Sequence, residues 1–194
     1  MVCKMAYFNT RDVAAIAMCG ALWGVLNTLL APSFFRMTGM PFLCDLIGFA
    51  VLIIGAWWIR KPGALSIVGF IATLINLGLG AGVQFLGFMA ASVFFDVVIT
   101  IIGYGKAFKK PAYTGVSMML VAIASAAVAG TVIGAVFMAN TTLANWGGVF
   151  GWAGLHMIGG VIGGIIGVLL VLAFKKRRIP VYSETQPKPK MVAK

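Results

Sequence analysis

The sequence predicts an all-α membrane protein in which six transmembrane helices form one bundle with both termini in the cytoplasm. Three observations carry that expectation. Hydrophobic residues make up 61% of the 194 positions and charged residues only 10%, too little polar surface to cover a soluble globule. Six apolar runs approach or exceed the ~18 residues that cross a hydrocarbon core of roughly 30 Å at about 1.5 Å per helical residue. Fourteen of the fifteen Lys and Arg residues fall in alternate connections between those runs.

The runs cover 13–30, 43–59, 64–82, 85–104, 115–138 and 149–174, giving a membrane domain over 1–178. Lys4 and Arg11 precede the first, Arg60 and Lys61 follow the second, and Lys106, Lys109 and Lys110 follow the fourth. Lys175, Lys176, Arg177 and Arg178 close the sixth. The other connections, 31–42, 80–84 and 139–148, hold only Arg36. Lys and Arg are retained on the cytoplasmic side, so the basic connections are expected inside. Trp57 and Trp58 before Arg60, Tyr104 before Lys106, and Trp146 and Trp152 at the opposite boundary fit interfacial belts, whereas Trp23 lies deep in its span.

The remaining composition excludes several classes. The net charge of +11 sits at span ends, where topology and anionic lipid head groups account for it, and no basic soluble domain exists to bind nucleic acid. Cys3, Cys19 and Cys44 have no CxxC spacing, so neither a zinc site nor a disulfide framework is expected. The first apolar run is longer than a signal-peptide core and reads as a retained helix. Residues 179–194, with Pro180, Pro187, Pro189 and scattered Lys, read as a disordered cytoplasmic tail. No activated nucleophile or carboxylate pair stands at a recognisable spacing, so no enzyme activity and no cofactor are expected.

Polar groups inside apolar runs are costly and mark function by default. Asp96 is the deepest, in the fourth run; His156 enters the sixth and Asp45 begins the second. Asn27, Asn76 and Gln84 add amides, mostly toward the outer half. Such a cluster opening outward in an apolar bundle suits capture of a small solute. Arg36, alone outside in an aromatic, Met-rich connection, reads either as part of a lid or as a partner of lipid phosphate or Asp45. The expected solute contacts are Asp96, Asn76, Gln84, Arg36, Asn27 and His156, with Trp146 or Trp152 stacking on the solute. For Asp96 and His156 an interhelical packing role is the competing reading.

Small residues mark close helix contacts in lipid. Gly159, Gly163 and Gly167 form one row, Gly160 and Gly164 lie beside it, and Gly130 and Gly134 repeat the spacing in the fifth run. The last two spans are therefore expected to pack tightly. Ala17 and Ala21 make an AxxxA row with Ala14 in the first, a groove fit for a partner helix.

The opening Asn9-Thr10-Arg11-Asp12-Val13-Ala14, followed by Ala17 and Ala21, resembles the start of the substrate-binding S component of energy-coupling factor transporters. Six spans and a basic cytoplasmic face are similar to that family too. The resemblance implies uptake of a vitamin-like solute with a membrane coupling subunit and two ATPase subunits as partners, Ala17 and Ala21 being the docking residues. Arg60-Lys61-Pro62-Gly63-Ala64, Leu77-Gly78-Leu79-Gly80 and the Asp96 region look like the thiamine or hydroxymethylpyrimidine type. Asn76 stands where that type carries an acid, and Asp96 where it carries Glu. The cobalt and nickel type opens with a metal-binding Met-His, whereas this chain reads Met1-Val2-Cys3, which implies no metal substrate. No GxxxxGK[ST] motif occurs, so energy would come from separate subunits. The competing classes are an ATP-independent small transporter and a structural or assembly subunit of a membrane complex.

Overall fold

A computed structural model describes residues 7–179, and all the regular structure among them is helical. Cys3, Lys4 and the expected tail beyond Ile179, with Lys188, Lys190 and Lys194, lie outside the described residues. Five helices are long and apolar enough to cross a membrane: α1 (Thr10–Thr38), α2 (Phe42–Ile59), α4 (Phe85–Ile102), α6 (Pro111–Val132, extended by a π-helical turn, Ile133–Phe137) and α8 (Gly148–Lys176). Between them lie the shorter apolar helix α3 (Ala64–Gly78) and two brief helices, α5 (Tyr104–Ala107) and α7 (Asn140–Ala144). The chain is a multi-pass membrane protein.

Local chemistry sets the helix ends. α1 opens with a capping box: the Asp12 N–H donates to Asn9 Oδ1 and the Asn9 N–H donates to Asp12 Oδ2, each at 2.9 Å. It then runs through Pro32 to Thr38, so 31–38 is helix where a connection was expected. Pro32 removes a single backbone donor, a local loss that a long spanning helix tolerates. Gly39, at φ 70°, ends it.

α3 is the larger departure. The third run was expected to continue to residue 82, but the helix stops after 15 residues, about 22 Å of rise. A Schellman arrangement ends it: the Ala81 N–H reaches the Asn76 carbonyl at 2.8 Å and the Gly80 N–H the Leu77 carbonyl at 3.1 Å. Gly80 takes the left-handed conformation this needs, at φ 82°. Hydropathy alone could not see that stop, because it counts glycine as apolar and does not register the left-handed conformation that Gly80 takes.

The helices close into a ring in the order α1, α2, α8, α6, α4, α3 and back to α1. α2 leans inward, with twelve of its 18 residues buried. Glycines set the close contacts. Gly159 and Gly163 meet Asp45 and Leu46 of α2, Gly167 meets Ile53, and Gly160 and Gly164 meet Ala126 and Met119 of α6. The two glycine rows of α8 thus face two different helices, so the 159–163–167 row serves α2 and not α6. Met18, Leu22, Val97, Leu120 and Leu169 point outward, an apolar exterior suited to lipid.

Candidate solute-binding site

Two separate polar layers interrupt the apolar core, one near each end of the bundle. In the layer nearer the Arg36 end, His156 sits two turns into α8 and Asp45 in the first turns of α2. His156 Nδ1 lies 3.0 Å from Asp45 Oδ1, and both side chains are almost fully buried, at 1% and 0% exposure. Missing side chains make the room. A Cβ on Gly159 would stand 2.5 Å from Asp45 Oδ2, and one on Gly130 would stand 3.0 Å from His156 Cβ and Cδ2.

Aromatic rings wall this pair. Trp152 meets His156 edge-on at 5.4 Å between centroids, Trp146 meets Trp152 at 5.7 Å, and Phe88 approaches the other side of His156 at 5.7 Å. Phe88 in turn contacts Trp23 at 6.3 Å and Phe85 at 5.8 Å. Gly48 admits the Trp23 indole, since a Cβ there would come within 3.1 Å of Nε1. Asn27 lies one turn beyond Trp23 on the same face of α1, fully buried. The π-helical turn borders the cluster through Gly134, whose added Cβ would be 3.5 Å from Trp152 Cδ1. Such turns recur at functional sites.

The decisive feature is a shortage of partners. Trp23 Nε1, both amide atoms of Asn27, Asp45 Oδ2, Trp152 Nε1 and His156 Nε2 are buried without a hydrogen-bond partner among the described residues. A buried polar atom left unpaired costs about 1–3 kcal/mol. Six such atoms in one aromatic neighbourhood supply donors, acceptors and flat apolar walls together, which is the make-up of a small-molecule site. The charge inventory is equally specific: one carboxylate and one imidazole, with no Lys or Arg in the cluster. That suits a neutral or cationic solute and opposes a carboxylate or phosphate.

The expected site residues divide accordingly. His156, Trp152, Trp146 and Asn27 belong to this layer, with Trp146 half-buried at its edge. Asn76 is buried nearby but satisfied, its Oδ1 accepting from the Thr28 hydroxyl at 2.9 Å and its Nδ2 donating to the Ala72 carbonyl at 2.7 Å. Gln84 is exposed and folded over its own turn against Gly82, and Arg36 is exposed on the last turn of α1. Asp96 lies in the other layer. Its Oδ2 accepts from the Ser66 N–H and hydroxyl, each at 2.9 Å, and its Oδ1 from the Tyr104 hydroxyl at 2.9 Å.

Asp96, Asn76, Gln84 and Arg36 therefore do not converge. Ser66 and Asn76 stand ten residues apart on α3, about 15 Å along the axis, and Asp96 is held at the Ser66 level. There it caps the N-terminus of α3, where free N–H groups and the helix dipole favour a carboxylate. Burial, with the Asp96 carboxylate beside it, pushes the Tyr104 phenol well above its ordinary value, so it stays a donor. The same end is tied by Lys61 to Asp12, by the Tyr7 hydroxyl to the Pro62 carbonyl at 3.2 Å and by Lys175 to the Phe108 carbonyl at 2.6 Å.

Asp45 and Trp23 were visible in the sequence as an ionisable residue and a lone deep Trp, yet neither was expected in the site. Phe85 and Phe88 gave no signal, being two of the fourteen phenylalanines in the chain and lying within an apolar run. Among the described residues no group of three His, Cys, Asp or Glu gathers to hold a metal.

Comparison with protein-family models, with curated proteins and with solved structures finds no match to this chain. The functional reading therefore rests on the residues themselves.

Proposed function

We propose that the chain captures a flat, neutral or cationic solute in the Trp23–Asp45–Trp152–His156 layer. On this reading it is the substrate-binding S component of an energy-coupling factor importer. The observation that carries the proposal is the set of six unpartnered polar atoms buried among aromatic rings. A heteroaromatic ring would stack on Trp152 or Phe88 and return hydrogen bonds to the indoles, Asn27, Asp45 and His156. A vitamin-like solute such as thiamine or its pyrimidine precursor, the class implied by the resemblance, has that shape and charge.

The proposed topology has six crossings, α3 being the short one, with both termini cytoplasmic. It follows from the basic residues at the α1 start, the α2–α3 turn, the α4–α6 connection and the α8 end. The solute layer then opens outward. Ala17 is exposed and Ala21 half-buried on the outer face of α1, which leaves that row available for the coupling subunit. A continuous channel is less well supported, because fully buried Leu65, Val68 and Phe95 lie in the core around and between the two polar layers.

The test is to purify the chain in mild detergent, identify any co-purifying small molecule by mass spectrometry, and titrate thiamine and hydroxymethylpyrimidine while following tryptophan fluorescence. Saturable quenching that disappears in Trp152→Ala and His156→Ala is the expected result. Quenching that persists in both variants would move the site elsewhere.

A further inference from the structure

An apolar groove of about 280 Å³ runs along the lipid-facing side of the bundle between α4 and α6. Phe94, Val98 and Ile102 line it on α4, and Tyr113, Leu120 and Ala124 on α6. The hydroxyl of Ser117 in its wall is satisfied by the Tyr113 carbonyl at 2.6 Å, so it offers no free donor there. The groove shares no lining residue with the His156 layer.

Two features of the groove select its occupant. The first is length. From Phe94 to Ile102 the groove extends about 12 Å, and from Tyr113 to Ala124 about 16 Å, at 1.5 Å per helical residue. That matches one leaflet, half of a roughly 30 Å hydrocarbon core, whereas a partner helix crossing the bilayer needs a groove of twice that length. The second is charge. The connection joining the two walls at the Ile102–Tyr113 end carries Lys106, Lys109 and Lys110, all exposed, whose amines make no hydrogen bond or ion pair among the described residues. Both acids described at this end, Asp12 and Asp96, are buried and bonded to Lys61 and to Ser66 and Tyr104.

We propose that this groove is a binding site for an anionic phospholipid, with one acyl chain lying between α4 and α6 and the head-group phosphate held by Lys106, Lys109 and Lys110. The groove fixes the chain and the lysines select the charge. Attraction to an anionic head group amounts to about a factor of five per lysine, so three amines distinguish an anionic from a zwitterionic lipid of identical chains.

The experiment is native mass spectrometry on the full chain, delipidated and then supplied with dioleoyl phosphatidylglycerol or dioleoyl phosphatidylcholine. Retention of one phosphatidylglycerol in preference to phosphatidylcholine is expected. Lys106→Gln, Lys109→Gln and Lys110→Gln together should abolish the preference, and Leu120→Trp, at an exposed position that leaves the core intact, should weaken retention of both lipids. Equal retention of the two lipids, or a preference that survives the triple substitution, would overturn the proposal. So would displacement of the lipid by inorganic phosphate at equal concentration, since that would mean that the groove contributes nothing.

Discussion

Asp45 and His156 form a buried pair, Oδ1 to Nδ1 at 3.0 Å, between the second and last long helices, and the other polar atom of each, Oδ2 and Nε2, is buried without a partner among the described residues. The pair links two helices and leaves one polar atom on each side chain unpartnered. Removing one member leaves the other buried alone. Asp45→Ala is expected to lower stability by about 3–5 kcal/mol, and the Asp45→Ala, His156→Ala double variant by less than the sum of the singles. Melting in one detergent across the four proteins measures the coupling.

His156 is the only histidine in the chain, which makes it a spectroscopic reporter. With ¹⁵N-labelled histidine, a single imidazole is observed without assignment. Binding of a solute that contacts Nε2 is expected to move that resonance more than the Nδ1 resonance, because Nδ1 is already engaged by Asp45. Equal movement of both, or none, would place the solute elsewhere.

The fold was legible wherever hydropathy and charge alone decide it, and obscure wherever a glycine or a contact decides it. The runs that became α2 and α8 appear within a few residues of their predicted bounds because basic residues, Arg60 and Lys61 for one and Lys175 onward for the other, close them. α3 ends four residues short of prediction because Gly80 permits a left-handed cap, a conformational property that no hydropathy count registers. The candidate site was legible in part. His156, Trp152 and Asn27 stand out as polar groups in apolar runs. Asp96 stands out by the same rule, yet it serves α3 by accepting from Ser66, a partner thirty residues away in sequence. Depth in a run shows that a polar group must be satisfied; only the fold shows by whom.

Asp96 is accordingly expected to matter for stability more than for solute affinity. Asp96→Asn weakens a charge-assisted cap and should lower stability by about 1–3 kcal/mol while leaving the dissociation constant of a bound solute within about twofold. Loss of affinity with unchanged melting would reverse that assignment.

Tyr104 gives the pH dependence of the same layer. Its ordinary value is about 10, and burial beside Asp96 raises it in the folded protein. Below about 10 the phenol is protonated in both states and contributes no slope. Above it the unfolded chain releases a proton that the folded chain retains, so stability falls as pH rises. Tyr104→Phe is expected to remove that part of the decline while costing about 0.5–1.5 kcal/mol near neutral pH through the lost hydrogen bond. Chemical unfolding between pH 8 and 11 compares the two slopes.

Glycine substitutions separate the site from the scaffold most sharply. On α8, Gly159 faces Asp45 so closely that an added Cβ would lie 2.5 Å from Oδ2, while Gly154 has open space around it. Both positions are helical, so the backbone effect of alanine is similar and favourable at each, by up to about 1 kcal/mol. Gly154→Ala should therefore leave solute affinity unchanged. Gly159→Ala must push the Asp45 carboxylate or separate α2 from α8, because neither neighbour at that distance is the end of a long flexible chain. Affinity is expected to fall by tenfold or more, a loss of at least about 1.4 kcal/mol. If both variants bind alike, Asp45 is not a solute contact, and the unpartnered oxygen beside Gly159 serves packing alone.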